Sequence, residues 1–155
     1  MSRLTVLALT AVVAVGGTAA AGAAVAATSP SSPAKVGVRT TKLGKVLVNS
    51  KGVTLYLFEK DKKGKSACSG ACAAAWPPLL TKGKPTASGG AGTAKLGTTK
   101  RSDGTTQVTY NGHPLYTFIK DANKAGSTQG EGLNAFGAEW YVVGTNGNKI
   151  EKKGS

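Results

Sequence analysis

Apolar, β-branched and aromatic residues fill Lys45–Asn49 (KVLVN) and again Val53–Glu59 (VTLYLFE), with the turn-forming stretch Asn49-Ser50-Lys51-Gly52 between them. Two β-rich runs around a short Asn/Gly turn predict a β-hairpin, in which successive side chains point to opposite faces. The same grammar returns downstream: QVTYN at 107–111, a turn centred on Asn111-Gly112, then HPLYTFIKD at 113–121. Asn-Gly favours a tight hairpin turn because both residues tolerate positive φ. Each second strand ends in Tyr-x-Phe-x-x-Asp, as Tyr56, Phe58 and Asp61 and then as Tyr116, Phe118 and Asp121. Within a copy the two aromatics share a face. Leu57 and Thr117 occupy the other face, where the copies differ, so the aromatic face is the expected core.

Further elements follow from the same pattern. Val36–Val38 is apolar enough to begin a strand, and Lys95–Arg101 predicts another, closed by a turn at Ser102-Asp103-Gly104. Glu139–Gly144 and Lys149-Ile150 predict a terminal hairpin around Asn146-Gly147. Ser69–Ala75 is small and alanine-rich, which predicts a short helix that stops at Trp76, because Pro77 disfavours the α conformation before it. Trp76 and Trp140 each bring the chain back toward the aromatic strands. Lys82–Ala94 reads as a connecting loop. Gly126–Gly132 reads as an ordinary loop too, since it lacks the strand-then-helix setting and the lysine of a phosphate-binding loop. The expected fold is all-β: a small sandwich or open barrel of two related, hairpin-containing halves, with one short helix near 69–75.

Composition adds an address. Arg3, the apolar run Leu4–Val15 and Ala24-Val25-Ala26 have the order of a secretory signal peptide, with cleavage expected near Ala26. The apolar core is shorter than a membrane-spanning helix needs. The expected organisation is a signal peptide at 1–26, a flexible Pro/Ser-rich tether at 27–41 and a single β domain at 42–155. Within that domain the first repeat covers about 44–81, the loop 82–94 and the second repeat about 104–144. Twenty Lys and Arg against seven Asp and Glu give a net charge of +13. An excess of that size favours anionic partners such as cell-wall polymers or a membrane surface. The basic residues are scattered, and no arginine cluster or aromatic row points to specific nucleic-acid reading.

Chemistry-bearing residues are few. Cys68 and Cys72 in an exported chain favour a structural disulfide. The alternative is a redox pair or a copper or zinc site on Cys68, Cys72 and His113. Against redox use, the spacing is Cys-x3-Cys rather than Cys-x-x-Cys. His113 is the only histidine; the matching position of the other copy is Val53, so the repeat does not need an imidazole. Asp61 and Asp121 precede Lys- and Gly-rich loops, where a carboxylate fixes a turn by accepting backbone N–H groups. No Gly-x-Ser-x-Gly elbow accompanies His113, and no constellation for an enzyme emerges.

Taken together, LYLFEKD, CSGACAAAWPPL, NGHPLYTFIKD and GSTQGEGLNAFGAEWYVV resemble a bacterial family known as the secreted repeat of unknown function, also described as predicted lipoproteins with a Tyr-x-aromatic-x-x-Asp motif. The resemblance covers about Lys42–Val143. It implies an exported envelope protein and no particular reaction. The chain departs from lipoprotein members in having no cysteine at the expected cleavage site, which favours a freely secreted or wall-associated form without a lipid anchor.

Overall fold

In a computed structural model of the protein, residues 29–122 and 124–152 are described. The expected signal peptide lies outside them. Nine strands, β1 (Lys35–Thr41), β2 (Gly44–Asn49), β3 (Tyr56–Phe58), β4 (Thr86–Ala87), β5 (Leu96–Lys100), β6 (Thr106–Tyr110), β7 (His113–Pro114), β8 (Leu133–Ala135) and β9 (Ala138–Val142), form three small sheets, and α1 spans Ala71–Ala75. The sheet orders are β2-β1-β4, β3-β9-β8 and β5-β6-β7, and among the described residues no closed barrel is formed. The fold is therefore all-β with a single short α-helix among the described residues. Among the same residues no helix is long and apolar enough to cross a membrane.

Two expectations are corrected. Residues 35–41 are strand rather than the end of a tether. β1 pairs antiparallel with β2 from Val36↔Asn49 to Thr41↔Gly44, because Val36 is fully buried and holds the strand against the core. Nor is 82–94 wholly a loop: β4 adds to β1 in parallel, through Lys35↔Thr86 and Val36↔Ala87. Two of the turns do match their residues. Asn49 Oδ1 accepts the backbone N–H groups of Lys51 and Val53, and Asn111 and Gly112 both hold positive φ, 50° and 78°.

The halves exchange their ends. The segment after Trp76 crosses to the second hairpin, where Val108 N donates to Leu79 O (2.8 Å) and Leu79 N to Leu115 O (2.9 Å). The segment after Trp140 crosses to the first hairpin, where Leu47 N donates to Val143 O (2.9 Å) and Val143 N to Leu55 O (3.2 Å). Between them the corresponding residues Tyr56 and Tyr116 meet, their backbones bonded reciprocally at 2.8 and 3.0 Å.

β3 divides the core. Tyr56 and Phe58 face one cluster with Val46, Val48, Cys68, Cys72, Trp76, Tyr116, Phe118, Trp140 and Val142. Leu55 and Leu57 face a second, with Val36, Leu47, Val108, Tyr110, Leu115 and Val143. The aromatic face is thus not the sole core face: Leu57 is 3 % exposed. Its counterpart Thr117 is half-buried and donates to Pro77 O, so the faces differ in chemistry and not in being covered.

Candidate functional site

The motif residues of both copies meet where Tyr56 and Tyr116 pair. The tyrosines come from the paired strands, and Asp61 and Asp121 from the turns that close those strands. The aromatic rings form one continuous pile: Phe58 on Trp140, Trp140 on Trp76, Trp76 on Phe118. Each centroid spacing is 4.0 Å and the interplanar angles are 8°, 3° and 20°. Each phenylalanine therefore stacks on the tryptophan of the other copy. The tyrosines close the sides edge-on, Tyr56 against Trp76 at 5.4 Å and Tyr116 against Trp140 at 5.0 Å. Edge-to-face and offset contacts of this kind add to plain area burial.

The tyrosine hydroxyls cross in the same way. Tyr56 donates to Asp121 Oδ2 (2.6 Å) and Tyr116 to Asp61 Oδ2 (2.8 Å). Each carboxylate also ties down its own loop. Asp121 Oδ1 accepts from Ser127 Oγ (2.7 Å) and Gln129 N (3.0 Å), and Asp61 Oδ1 from Ala67 N (2.7 Å). Burial, then the hydrogen bond to Asp121, pushes the Tyr56 hydroxyl far above its ordinary range. Burial and the Asp61 charge do the same for Tyr116. Both tyrosines stay protonated and act as donors.

The two sites are not equivalent. Asp121 is fully buried, whereas Asp61 is half-buried and has a cation in reach. Burial pushes the Asp61 carboxyl up to about 6, against the Ala67 N–H, the Tyr116 hydroxyl and the Arg101 charge, which all favour its ionised form. Arg101, itself buried, donates through Nη1 to Ser66 Oγ (2.9 Å) and Gln107 Oε1 (2.8 Å), and through Nη2 to Cys68 O (2.6 Å). Tyr116 directs its one proton to Asp61, so Ser66 Oγ donates to the Tyr116 oxygen (2.7 Å). Gln107 Nε2 in turn donates to Leu115 O (2.8 Å). The arrangement is a polar layer beneath the cysteine loop in which both terminal nitrogens of Arg101 are engaged, while its Nε has only the Asp103 carboxylate at 3.8 Å.

Cys68 and Cys72 are joined by a disulfide with Cα atoms 5.3 Å apart. Cys68 lies before α1 and Cys72 within it, and both are buried beside Trp76. A copper or zinc site on Cys68, Cys72 and His113 would need both thiolates, and in this structure the two sulfurs are bonded to each other. His113 is half-buried on β7, paired through its backbone with Tyr110. No three His, Cys, Asp or Glu side chains converge as metal ligands among the described residues.

Sequence reasoning missed Arg101, Ser66, Gln107, Gly130 and Glu131. A faint signal existed for Arg101, an arginine in a chain otherwise rich in lysine. Gly130 is required by space: a Cβ there would stand 2.7 Å from Trp76 Cη2 and 2.9 Å from Tyr56 Cε1. Glu131 Oε2 accepts from Val142 N (2.7 Å), while burial raises the affinity of its carboxyl for a proton.

A family model described as a secreted repeat of unknown function matches residues 37–80 and again 97–144, more than half of the chain. The two matches begin at corresponding places, Gly37 on β1 and Gly97 on β5. No curated protein and no solved structure matches the chain.

Proposed function

The chain belongs to the family of secreted repeats of unknown function, and from that premise we propose that it is a non-catalytic module of the cell envelope that binds anionic surface material. It works outside the cell, free or held against the wall by charge and without a lipid anchor.

The observation that carries this reading is the division of charged groups between interior and surface. Every lysine among the described residues is exposed. Asp121 and Glu131 are buried and Asp61 half-buried, so three of the seven acidic side chains are withdrawn from the surface on which the lysines lie. Of the exposed carboxylates, Glu59 and Glu151 both pair with Lys149, and Asp103 lies 3.8 Å from Arg101 Nε. The outer surface is left strongly positive, while Tyr56, Tyr116, both tryptophans and the cysteine bridge are engaged with one another inside. A surface of that kind concentrates polyanions.

Retention of the protein on an immobilised polyanion, compared with a neutral polysaccharide, tests the reading. Binding is expected at low ionic strength, with release as the screening length falls toward about 3 Å near 1 M salt. Equal retention on the neutral polymer, or retention indifferent to salt, would overturn it.

A further inference from the structure

Resting on that reading, we propose that a cleft between β1 and the loop after Asp121 is a dedicated site for a phosphate group, with Arg39 as its recognition residue. The cleft has a volume of about 440 Å³, and Arg39, Thr41, Lys42, Lys124, Ser127 and Thr128 contribute to its walls. No carboxylate lines it. Three cations from two segments far apart in the chain therefore converge on one concavity rather than spreading over the surface.

Arg39 distinguishes this place from the other basic surfaces. The only other arginine of the described residues, Arg101, is buried and engaged. Arg39 lies across two glycines. A Cβ on Gly126 would stand 2.9 Å from Arg39 Nε, and one on Gly52 3.4 Å from Arg39 Nη1. Gly126 N donates to Gly52 O at 3.1 Å, so the two form a continuous floor on which the side chain rests. The guanidinium has no hydrogen-bond or ion-pair partner among the described residues. A planar fork held on a flat support beside two lysines is suited to bidentate contact with an oxyanion.

Asp121, which accepts from the lining residue Ser127, lies fully buried and also accepts from Tyr56 and Gln129. That set fixes the loop in place. Because the Ser127 proton goes to Asp121 and the Thr41 proton to Gly44 O, the remaining hydroxyl donors in the cleft are Thr40 and Thr128. The group recognised is a phosphate, carried either by a phosphodiester polymer or by a lipid headgroup.

Titration calorimetry at fixed ionic strength with a short glycerol phosphate oligomer, and cosedimentation with phosphatidylglycerol vesicles, test the site. Arg39→Lys keeps the charge and loses the fork. It is expected to weaken binding about tenfold with an unchanged urea midpoint. Gly126→Ala should reproduce the loss with every cation intact. Lys82→Ala and Lys100→Ala, which line a different cleft, should change binding less than about twofold. Dependence on Arg39 for the oligomer alone assigns a polymer-borne phosphate, and dependence for the vesicles alone assigns a headgroup; either supports the site. If Arg39→Lys binds like wild type, or no worse than Lys82→Ala and Lys100→Ala, the site is overturned and general attraction of polyanions still stands. If wild type binds no polyanion at all, both readings fall.

Discussion

Tyr56 of the first repeat donates its hydroxyl proton to Asp121 of the second at 2.6 Å, and neither residue is exposed to solvent. The mirror contact, Tyr116 to Asp61 at 2.8 Å, sits nearer the surface. Removing the hydroxyl therefore has unequal consequences. Tyr56→Phe takes one of three donors from a dry carboxylate and leaves Gly130 N without its acceptor. It should cost roughly 1.5–3 kcal/mol. Tyr116→Phe should cost less, because Asp61 is half-buried and keeps the Ala67 N–H. Urea melts of the two variants check the order; the reverse order would mean that Arg101 and Ser66 depend on Tyr116 more than the geometry indicates.

Asp61 gives stability a pH dependence. Its carboxyl holds its proton up to about 6 in the folded chain against 3.8 in the unfolded one. The folded state thus binds the proton more tightly, and this group's favourable contribution is complete below 3.8. It diminishes as pH rises and is gone above about 6. Glu131 acts in the same direction, so the comparison must be a difference. Wild type minus Asp61→Asn, followed as urea midpoint from about pH 3.5 to 7, should decline across that window. A flat difference would remove Asp61 as the cause.

The ring pile makes the two phenylalanines interdependent. Phe58→Ala and Phe118→Ala should each cost roughly 3–5 kcal/mol. Their double mutant should depart from additivity, because Trp76 and Trp140, stacked on each other at 4.0 Å, link the two sites. A melting temperature unmoved by either single change would show the rings to be a surface platform rather than core.

Leu57→Ala should be costly as well, roughly 2–5 kcal/mol, since the second cluster closes over it. A loss below about 1 kcal/mol would restore the view that this face is dispensable.

Breaking the Cys68–Cys72 bridge should be milder. It closes a very short loop, for which the chain-entropy account gives about 2 kcal/mol. The Cys68→Ala/Cys72→Ala variant should keep its near-ultraviolet tryptophan signal, with a lower urea midpoint. Loss of that signal would show that the bridge is needed to seat Trp76.

The hairpins, the helix and the paired Tyr-x-Phe-x-x-Asp motifs were legible because each rests on local chemistry: alternation, Asn-Gly turns, a proline stop. The aromatic face was legible for the same reason. What alternation could not show was that the opposite face is covered too. Leu57 and Thr117 differ in chemistry, and a difference between copies does not say whether a face is covered. Nor could local pattern reveal which aspartate each tyrosine would reach, because Tyr56 and Asp121 are brought together only by long-range exchange. Arg101 was read as one more basic residue, yet its burial follows from Ser66, Gln107 and the Cys68 carbonyl surrounding it. β4 was hidden by a stretch of glycine, lysine and threonine that pairs only because the edge of β1 is available.

The crossing of the segments after Trp76 and Trp140 has a consequence for how the chain can be divided. Each hairpin closes within its own repeat but is joined by the closing segment of the other, so neither repeat should be an autonomous folding unit. Cleavage in the stretch 88–92 should leave two pieces that hold together and regain the tryptophan environment when mixed after denaturation, while each alone stays unfolded. By the same logic, a polypeptide carrying one such repeat would have to find a second copy of itself, and the tandem chain is that dimer made covalent.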